Sequence, residues 1–190
     1  MEELQHEHNG LIVRIAQPKH IPSILALQKF FHQYEKREDD DLFLFNINND
    51  PFSSSDFEHI IIRGECVIVE NGEELIGYML IDTCSETQGL KDHLKCISVL
   101  TEDEYLENET RLAPRFAELF NPEFKDDGLS RATLVMLIYI NREKYNAIFS
   151  GIFTNSTLLM ERLNLGWKIV FDNGMYFFLI WDFTQLDNPQ

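Results

Sequence analysis

Residues 121–132 read NPEFKDDGLSRA, and they pose a problem of charge. A proline, a lysine and a single glycine precede a long apolar run. When a strand ends, a glycine permits close approach and a helix begins, several N–H groups lack intrahelical partners. Such a corner cradles phosphate through backbone donors and the positive end of the helix dipole. Asp126 and Asp127 put negative charge where an anionic ligand would sit. Each such anion opposes a bound phosphate by roughly 1 kcal/mol at an effective surface dielectric. Aspartates are also ordinary helix N-caps. On this stretch alone, a phosphate loop and an aspartate-capped helix are both open.

Just upstream lies RFAELF, residues 115–120, a candidate strand that carries Glu118 between apolar neighbours. Alternation puts Glu118 on the face of Phe116 and Phe120. Carboxylates without a partner avoid apolar surroundings, so this one stands out. A solvent-facing glutamate, or one paired with Arg115, is the plain alternative. Cys66, Cys84 and Cys96 are odd in number and widely spaced, and no CxxC pair or Cys/His ligand cluster occurs. Reduced, buried thiols are expected, with neither a disulfide framework nor a metal site. The six histidines are scattered and have no triad-like companions in the sequence.

Sixteen basic against 32 acidic residues leave a formal net charge of −16. That surface repels phosphate backbones, so nucleic-acid binding is excluded and cationic partners such as amines or basic peptides are favoured. Acidity that only maintains solubility is the competing reading. The apolar stretch around residues 134–140 is far too short to span a membrane. MEELQHEHNG at the N-terminus is acidic and polar, unlike a secretion or transit signal. A cytoplasmic location is expected.

The 190 residues, 44% of them hydrophobic, suit one domain with a full core. Residues 1–10 are expected as a flexible tail, 11–184 as the domain, and 185–190 as a second tail. LIVRIA (11–16) reads as a strand. PKHIPSILALQKFFHQYEK follows as a helix, with Ile21, Ile24, Leu25, Gln28 and Phe31 at helical spacing. An acidic loop spans 37–51, and FSSSDFEHIIIR is a short serine-capped helix. CVIVE and LIGYMLIDT form a hairpin across NGEE, with an Asn-Gly turn. Residues 85–113 are an irregular insert in which KCISVL reads as a strand. TEDEYLENETRL opens with a capping box from Thr101 to Glu104 and reads as a helix. SRATLVMLIYINREKY is a buried helix and NAIFSGIF a strand. TNSTLLMERLNLG is a helix capped by Thr154 or Asn155, and WKIVFDNGMYFFLIWDF is a closing hairpin. That final hairpin is compatible with pairing to a second subunit, and equally with a buried strand, so monomer and homodimer both stay open. The order implies an α/β or α+β fold, a mixed, mostly antiparallel sheet with helices on both faces.

At this point the chain resembles the GNAT superfamily of N-acetyltransferases. LIVRIAQPKHIPSILALQKFF is similar to that family's opening strand and helix. NPEFKDDGLSRATLVML resembles its acetyl-CoA motif, Pro-x-x-[Arg/Gln]-x-x-Gly-x-[Gly/Ala]. TNSTLLMERLNLGWKIV resembles the later motif, in which an asparagine starts a helix that ends in Leu-Gly-Phe. The resemblance covers nearly the whole chain except the first ten residues and the 85–113 insert, and it rests on order and spacing more than on any one motif.

The resemblance implies acetyl-CoA as co-substrate, with no metal, and direct attack by a primary amine on the thioester. It places the coenzyme A pyrophosphate against Lys125, Asp126, Asp127, Gly128, Leu129 and Ser130, with Phe120 and Asn155 also on the cofactor. Lys125 stands for the usual arginine or glutamine, and Ser130 for the second glycine or alanine. It makes Glu118 the general base. The family's general-acid tyrosine is missing. Met160 or Arg162 stands there, depending on the alignment, and neither donates a proton at neutral pH. Tyr139, Tyr145 and Tyr176 cannot be placed from sequence. Three readings follow: an N-acyltransferase for a small-molecule or peptide amine, a GNAT-fold binding or regulatory module, and a partner-binding protein without a cofactor site.

Overall fold

The computed structural model describes residues 4–34, 52–81, 112–113, 116–155, 158–172, 174 and 176–183. The chain divides into two compact units, Met1–Leu80 with Ala117–Asn141, and Ile81–Phe116 with Arg142–Gln190.

The first unit is built on a five-stranded sheet with strand order β1-β2-β3-β4-β6. Its strands are β1 (Gln5–His8), β2 (Leu11–Ile15), β3 (Cys66–Asn71), β4 (Glu74–Ile81) and β6 (Phe116–Phe120). The β1–β2, β2–β3 and β3–β4 pairings are antiparallel. Helix α1 (Ile21–Tyr34), α2 (Ser54–Ile62) and α3 (Asp127–Asn141) complete this unit.

Strand alternation gives the sheet two covered faces. Cys66, Ile68, Tyr78 and Leu80 point into a core with Ile21, Ile24 and Phe31 of α1 and Phe57, Ile60 and Ile61 of α2. The intervening Val67, Val69 and Met79 are wholly buried on the other face, and α3 packs along β2 and β3. The expected sheet with helices on both faces is therefore present. The helical spacing read in α1 holds down to Gln28. Its amide donates to the Phe52 carbonyl at 2.9 Å and accepts from the Tyr78 hydroxyl at 3.3 Å. A polar residue thus sits in the core because both ends of its amide are satisfied. Helix α2 opens with a reciprocal box: the Asp56 N–H donates to Ser53 Oγ and the Ser53 N–H to Asp56 Oδ2. The entry to α1 is held from the sheet side, where Arg14 pairs with Glu70 at 2.6 Å and His20 Nδ1 accepts the Gln17 N–H at 2.8 Å.

Gln5–His8 corrects the expectation of a flexible tail over residues 1–10. It pairs with β2 through His8↔Leu11 and Gln5↔Arg14. The connecting Asn9-Gly10 has φ of 51° and 83°, the two left-handed residues of a tight hairpin turn. The β3–β4 loop is also displaced by one residue from the Asn-Gly turn expected. Asn71 pairs with Glu74, so Gly72-Glu73 forms the loop.

The second unit holds a four-stranded sheet of order β5-β7-β9-β8. Strand β5 (Leu112–Ala113) runs parallel to β7 (Ala147–Phe153). Strands β8 (Lys168–Asp172) and β9 (Tyr176–Asp182) form the expected closing hairpin, and β9 pairs with β7. Helix α4 (Leu158–Asn164) ends at Gly166 with φ 95°. The Trp181 indole donates to the Leu165 carbonyl at 2.8 Å and fixes that end of the helix to β9. Leu112, expected at the end of a helix over 101–112, begins β5 instead. The rest of that helix, the KCISVL strand, the 37–51 loop and the 185–190 tail lie outside the described residues. No described helix is long and apolar enough to cross a membrane.

Candidate active site

Glu118 lies on β6 with its side chain 3% exposed. Leu119 and Phe120 are also buried, so the strand leaves the sheet through an apolar surround. The chain then turns through Asn121, whose N–H donates to the Ile76 carbonyl at 2.7 Å and whose side chain accepts the Glu123 N–H at 3.1 Å. This short turn brings Lys125 back over the strand it has just left. Lys125 Nζ stands 3.4 Å from Glu118 Oε1 and 5.9 Å from the Phe120 ring centroid. Two residues assigned to different tasks by sequence are thus in direct contact. A buried carboxylate in an apolar surround demands such a partner.

Helix α3 begins at Asp127, and its first turn is capped by Asp126. The Asp126 carboxylate accepts the Leu129 N–H at 2.6 Å, while the Asp126 carbonyl accepts the Ser130 N–H at 3.0 Å. The Leu129 N–H holds the Asp126 carboxyl below its ordinary value, partial desolvation opposes this, and His8 adds a hydrogen bond and a charge that lower it further. The capped-helix reading of the sequence is therefore realised. The donor that meets this carboxylate is of the kind a phosphate oxygen would use, and here the chain's own Asp126 occupies it.

Three further features shape the corner. His8 Nε2 is 3.2 Å from Asp126 Oδ1. A Cβ on Gly128 would come within 2.7 Å of His8 Cε1, so glycine at 128 allows the histidine to lie on the helix start. Ser130, where the resemblance has a small residue, is wholly buried, and its Oγ has no hydrogen-bond partner among the described residues. The Asp127 side chain lies outside the described residues.

The structure thus gathers Glu118, Phe120, Lys125, Asp126, Gly128, Leu129 and Ser130 around one strand end and helix start. Asn155 belongs to the second unit, where it is exposed after β7, and the residues that would show what caps α4 are not among those described. Of the two positions that replace the family tyrosine, Met160 is 63% exposed, whereas Arg162 is buried with its guanidinium 5.6 Å from the Trp167 ring. Trp167 is buried in the core. Sequence reasoning missed His8. The signal was there: Asn9-Gly10 between two short extended runs is a hairpin turn pair. Cys66 is buried and its thiol is pushed up by desolvation, which makes it inert.

No family model and no curated relative matches the sequence. Solved structures do match in fold. A GNAT-family acetyltransferase from Listeria monocytogenes superposes with a TM-score of 0.67 over 94% of this chain and 99% of its own, at 16% identity. A putative acetyltransferase from Salmonella typhimurium, solved with its cofactor acetyl-CoA, gives 0.59 over 92% and 95%, at 14% identity. A ribosomal-protein-S5-alanine acetyltransferase from Vibrio fischeri gives 0.55 over 95% and 97%, at 11% identity. Identities this low speak to architecture alone. In each case the match runs over nearly the full length of both chains. The chain therefore has the fold of the GNAT acetyltransferases, in a sequence far diverged from its solved examples.

Proposed function

We propose that the protein is an acyl-CoA-dependent N-acyltransferase that moves an acetyl group from acetyl-CoA to a primary amine. One observation carries the reading beyond fold: a buried glutamate on β6 sits beside a helix start whose Leu129 N–H faces a carboxylate, that of Asp126. In the proposed site the coenzyme A diphosphate lies against the backbone of residues 125–130, where Lys125 supplies a cation and Ser130 Oγ a hydroxyl donor. Phe120 is assigned to the rest of the cofactor. The acetyl-CoA-bound neighbour supports a coenzyme A ligand for this fold.

In the proposed reaction the amine nitrogen attacks the thioester carbonyl. A C–N bond forms and the C–S bond breaks. The Glu118 carboxylate takes the amine proton, directly or through water, and the thiolate takes a proton from solvent, since neither Met160 nor Arg162 can supply one. The acidic surface favours a cationic acceptor, and the Vibrio neighbour, which by its name acts on an alanine of a ribosomal protein, supports a peptide amine as one class. The test is thioester consumption with a panel of polyamines, aminoglycoside-like amines and peptide N-termini. Turnover with one class establishes the reading.

The Asp126 cap favours a second reading, a GNAT-fold module that binds coenzyme A, or no cofactor at all, without catalysis. Binding of coenzyme A with no thioester loss across the whole panel would establish the module. No binding of the cofactor would leave a partner-binding protein.

A further inference from the structure

We infer that Gly77 is a positioning residue for the cofactor corner. Its bare backbone seats the Phe120 ring, and that seat sets where the chain leaves β6 for the loop and the start of α3. This rests on the coenzyme A reading above and adds to it a residue of β4, outside the loop and its helix.

Gly77 lies inside β4, buried and paired with Val69 of β3. Its φ is outside the left-handed region, so the backbone conformation does not call for glycine. Glycine inside a strand weakens it and often marks a close approach by another group. Here that group is Phe120. A Cβ at position 77 would collide with Phe120 Cδ1 and come within 2.8 Å of Cε1 and 3.0 Å of Cγ. The collision falls near the root of a buried ring, so turning the ring relieves it poorly and the chain at 120 has to shift. The main chain beside this seat is fastened as well. The β3–β4 register shifts between Val69 and Glu70 and passes over Ile76, as a bulge does when it re-aims a strand. The Ile76 carbonyl accepts the Asn121 N–H at 2.7 Å. Phe120 and Asn121 are thus fixed to two successive residues of β4, one by its side chain and the other by its backbone. Asn121 begins the turn: its side-chain oxygen accepts the Glu123 N–H at 3.1 Å and its carbonyl the Phe124 N–H at 3.1 Å. Lys125 follows, with Nζ 5.9 Å from the Phe120 ring, and Asp126 caps α3. A displaced ring therefore moves the loop at its root. Helix α3 keeps its own hold on β2 and β3 through buried Leu129, Leu134, Leu137 and Ile138. The result is a loop out of step with its helix, in a domain that stays folded. A misplacement of about 1 Å can cost roughly 100-fold at a site that depends on alignment.

The test is calorimetric titration of the full chain with coenzyme A in a double-mutant cycle. Gly77→Ala is expected to weaken coenzyme A about five- to tenfold. In a Phe120→Leu background, where no ring stands over residue 77, the same substitution is expected to cost less than about twofold. Only the difference between backgrounds is read, so any direct contact of Phe120 with the cofactor cancels. A glycine with a merely structural role would lower the melting temperature of the ligand-free protein and leave the dissociation constant unchanged. That result overturns the proposal while leaving the coenzyme A reading intact. So does an equal loss in both backgrounds. A wild-type protein that does not bind coenzyme A overturns both. If Gly77→Ala fails to fold, amide hydrogen exchange on Phe120→Leu decides instead. Saturating coenzyme A is expected to slow exchange across residues 125–130 in wild type, and about threefold less in Phe120→Leu at equal saturation. Equal protection in the two proteins would overturn the proposal.

Discussion

A carboxylate buried at a strand end has to be matched by a charge or a proton, and Glu118 is matched by Lys125 at 3.4 Å. Glu118→Gln preserves volume and hydrogen-bonding capacity, so it isolates the proton-accepting role. Turnover is expected to fall roughly 100- to 10,000-fold, the range of general-base catalysis, with no loss of cofactor affinity. Steady-state kinetics read this directly, and unchanged turnover would remove Glu118 from the mechanism. Asp126 poses the opposite question, because its charge both builds the helix start and opposes a phosphate. Asp126→Ala removes the cap and is expected to cost about 1 kcal/mol. Asp126→Asn keeps a capping side chain, removes the charge and is expected to bind coenzyme A more tightly than wild type. The pH dependence follows from the lowered folded-state value. A depressed carboxyl contributes stability that is present above its unfolded value, near 4, and lost as pH falls through the folded value. Melting curves from pH 6 to pH 2 should therefore lose this component in wild type and lack it in Asp126→Asn. Both residues stood out in sequence as charges in unsuitable places. Their partners did not, because the six residues between Glu118 and Lys125 double back only once Asn121 is tied to Ile76.

Among the elements, strand β1 tests how far the helix start depends on its neighbour. QHEH is polar on both faces and mostly exposed, so it shows none of the apolar alternation by which a half-buried strand is read. A polar edge strand also protects a sheet from further pairing. What orders it is the turn at Asn9-Gly10, with φ of 51° and 83°. Gly10→Ala forces a side chain into the left-handed region at a cost of about 1–2 kcal/mol. For a chain of this length that lowers the melting temperature by roughly 2–8 °C. The same variant should loosen His8 from Asp126, and nuclear magnetic resonance of the histidine ring would show it. A ring environment unchanged by the variant would mean that His8 is held by something other than the turn. The remaining elements were far more legible. Helix α3 carries Leu129, Leu134, Leu137 and Ile138 inward while Arg131, Val135 and Tyr139 face out, a helical period visible in the residues themselves. The β3–β4 hairpin was legible too, but its turn was one residue off, because strand pairing extends to Asn71 and leaves glycine first in the loop.

For the whole molecule, element order identified the fold, and order survives where individual motifs decay. Three partial motifs in the right sequence agree with superpositions at only 11–16% identity. The acceptor was not legible, since it is read by loops, and the 37–51 segment and most of the insert are not among the described residues. Net charge offers an indirect handle. With a formal charge of −16, the attraction for a cationic amine should be screened by salt. KM for a polyamine is expected to rise several-fold between about 0.05 and 0.5 M salt, with kcat nearly constant, and a KM indifferent to salt would place the acidic residues outside acceptor binding. The central claim is that the corner between β6 and α3, now holding its own aspartate, accepts the diphosphate of coenzyme A. Thermal unfolding with increasing acetyl-CoA tests it most directly. At about 100 times the dissociation constant a specific ligand adds about 2.7 kcal/mol, which corresponds to a rise of roughly 5–11 °C at this chain length. A saturable rise of that size, reduced in Lys125→Met, is the predicted result. No shift at millimolar acetyl-CoA would contradict it.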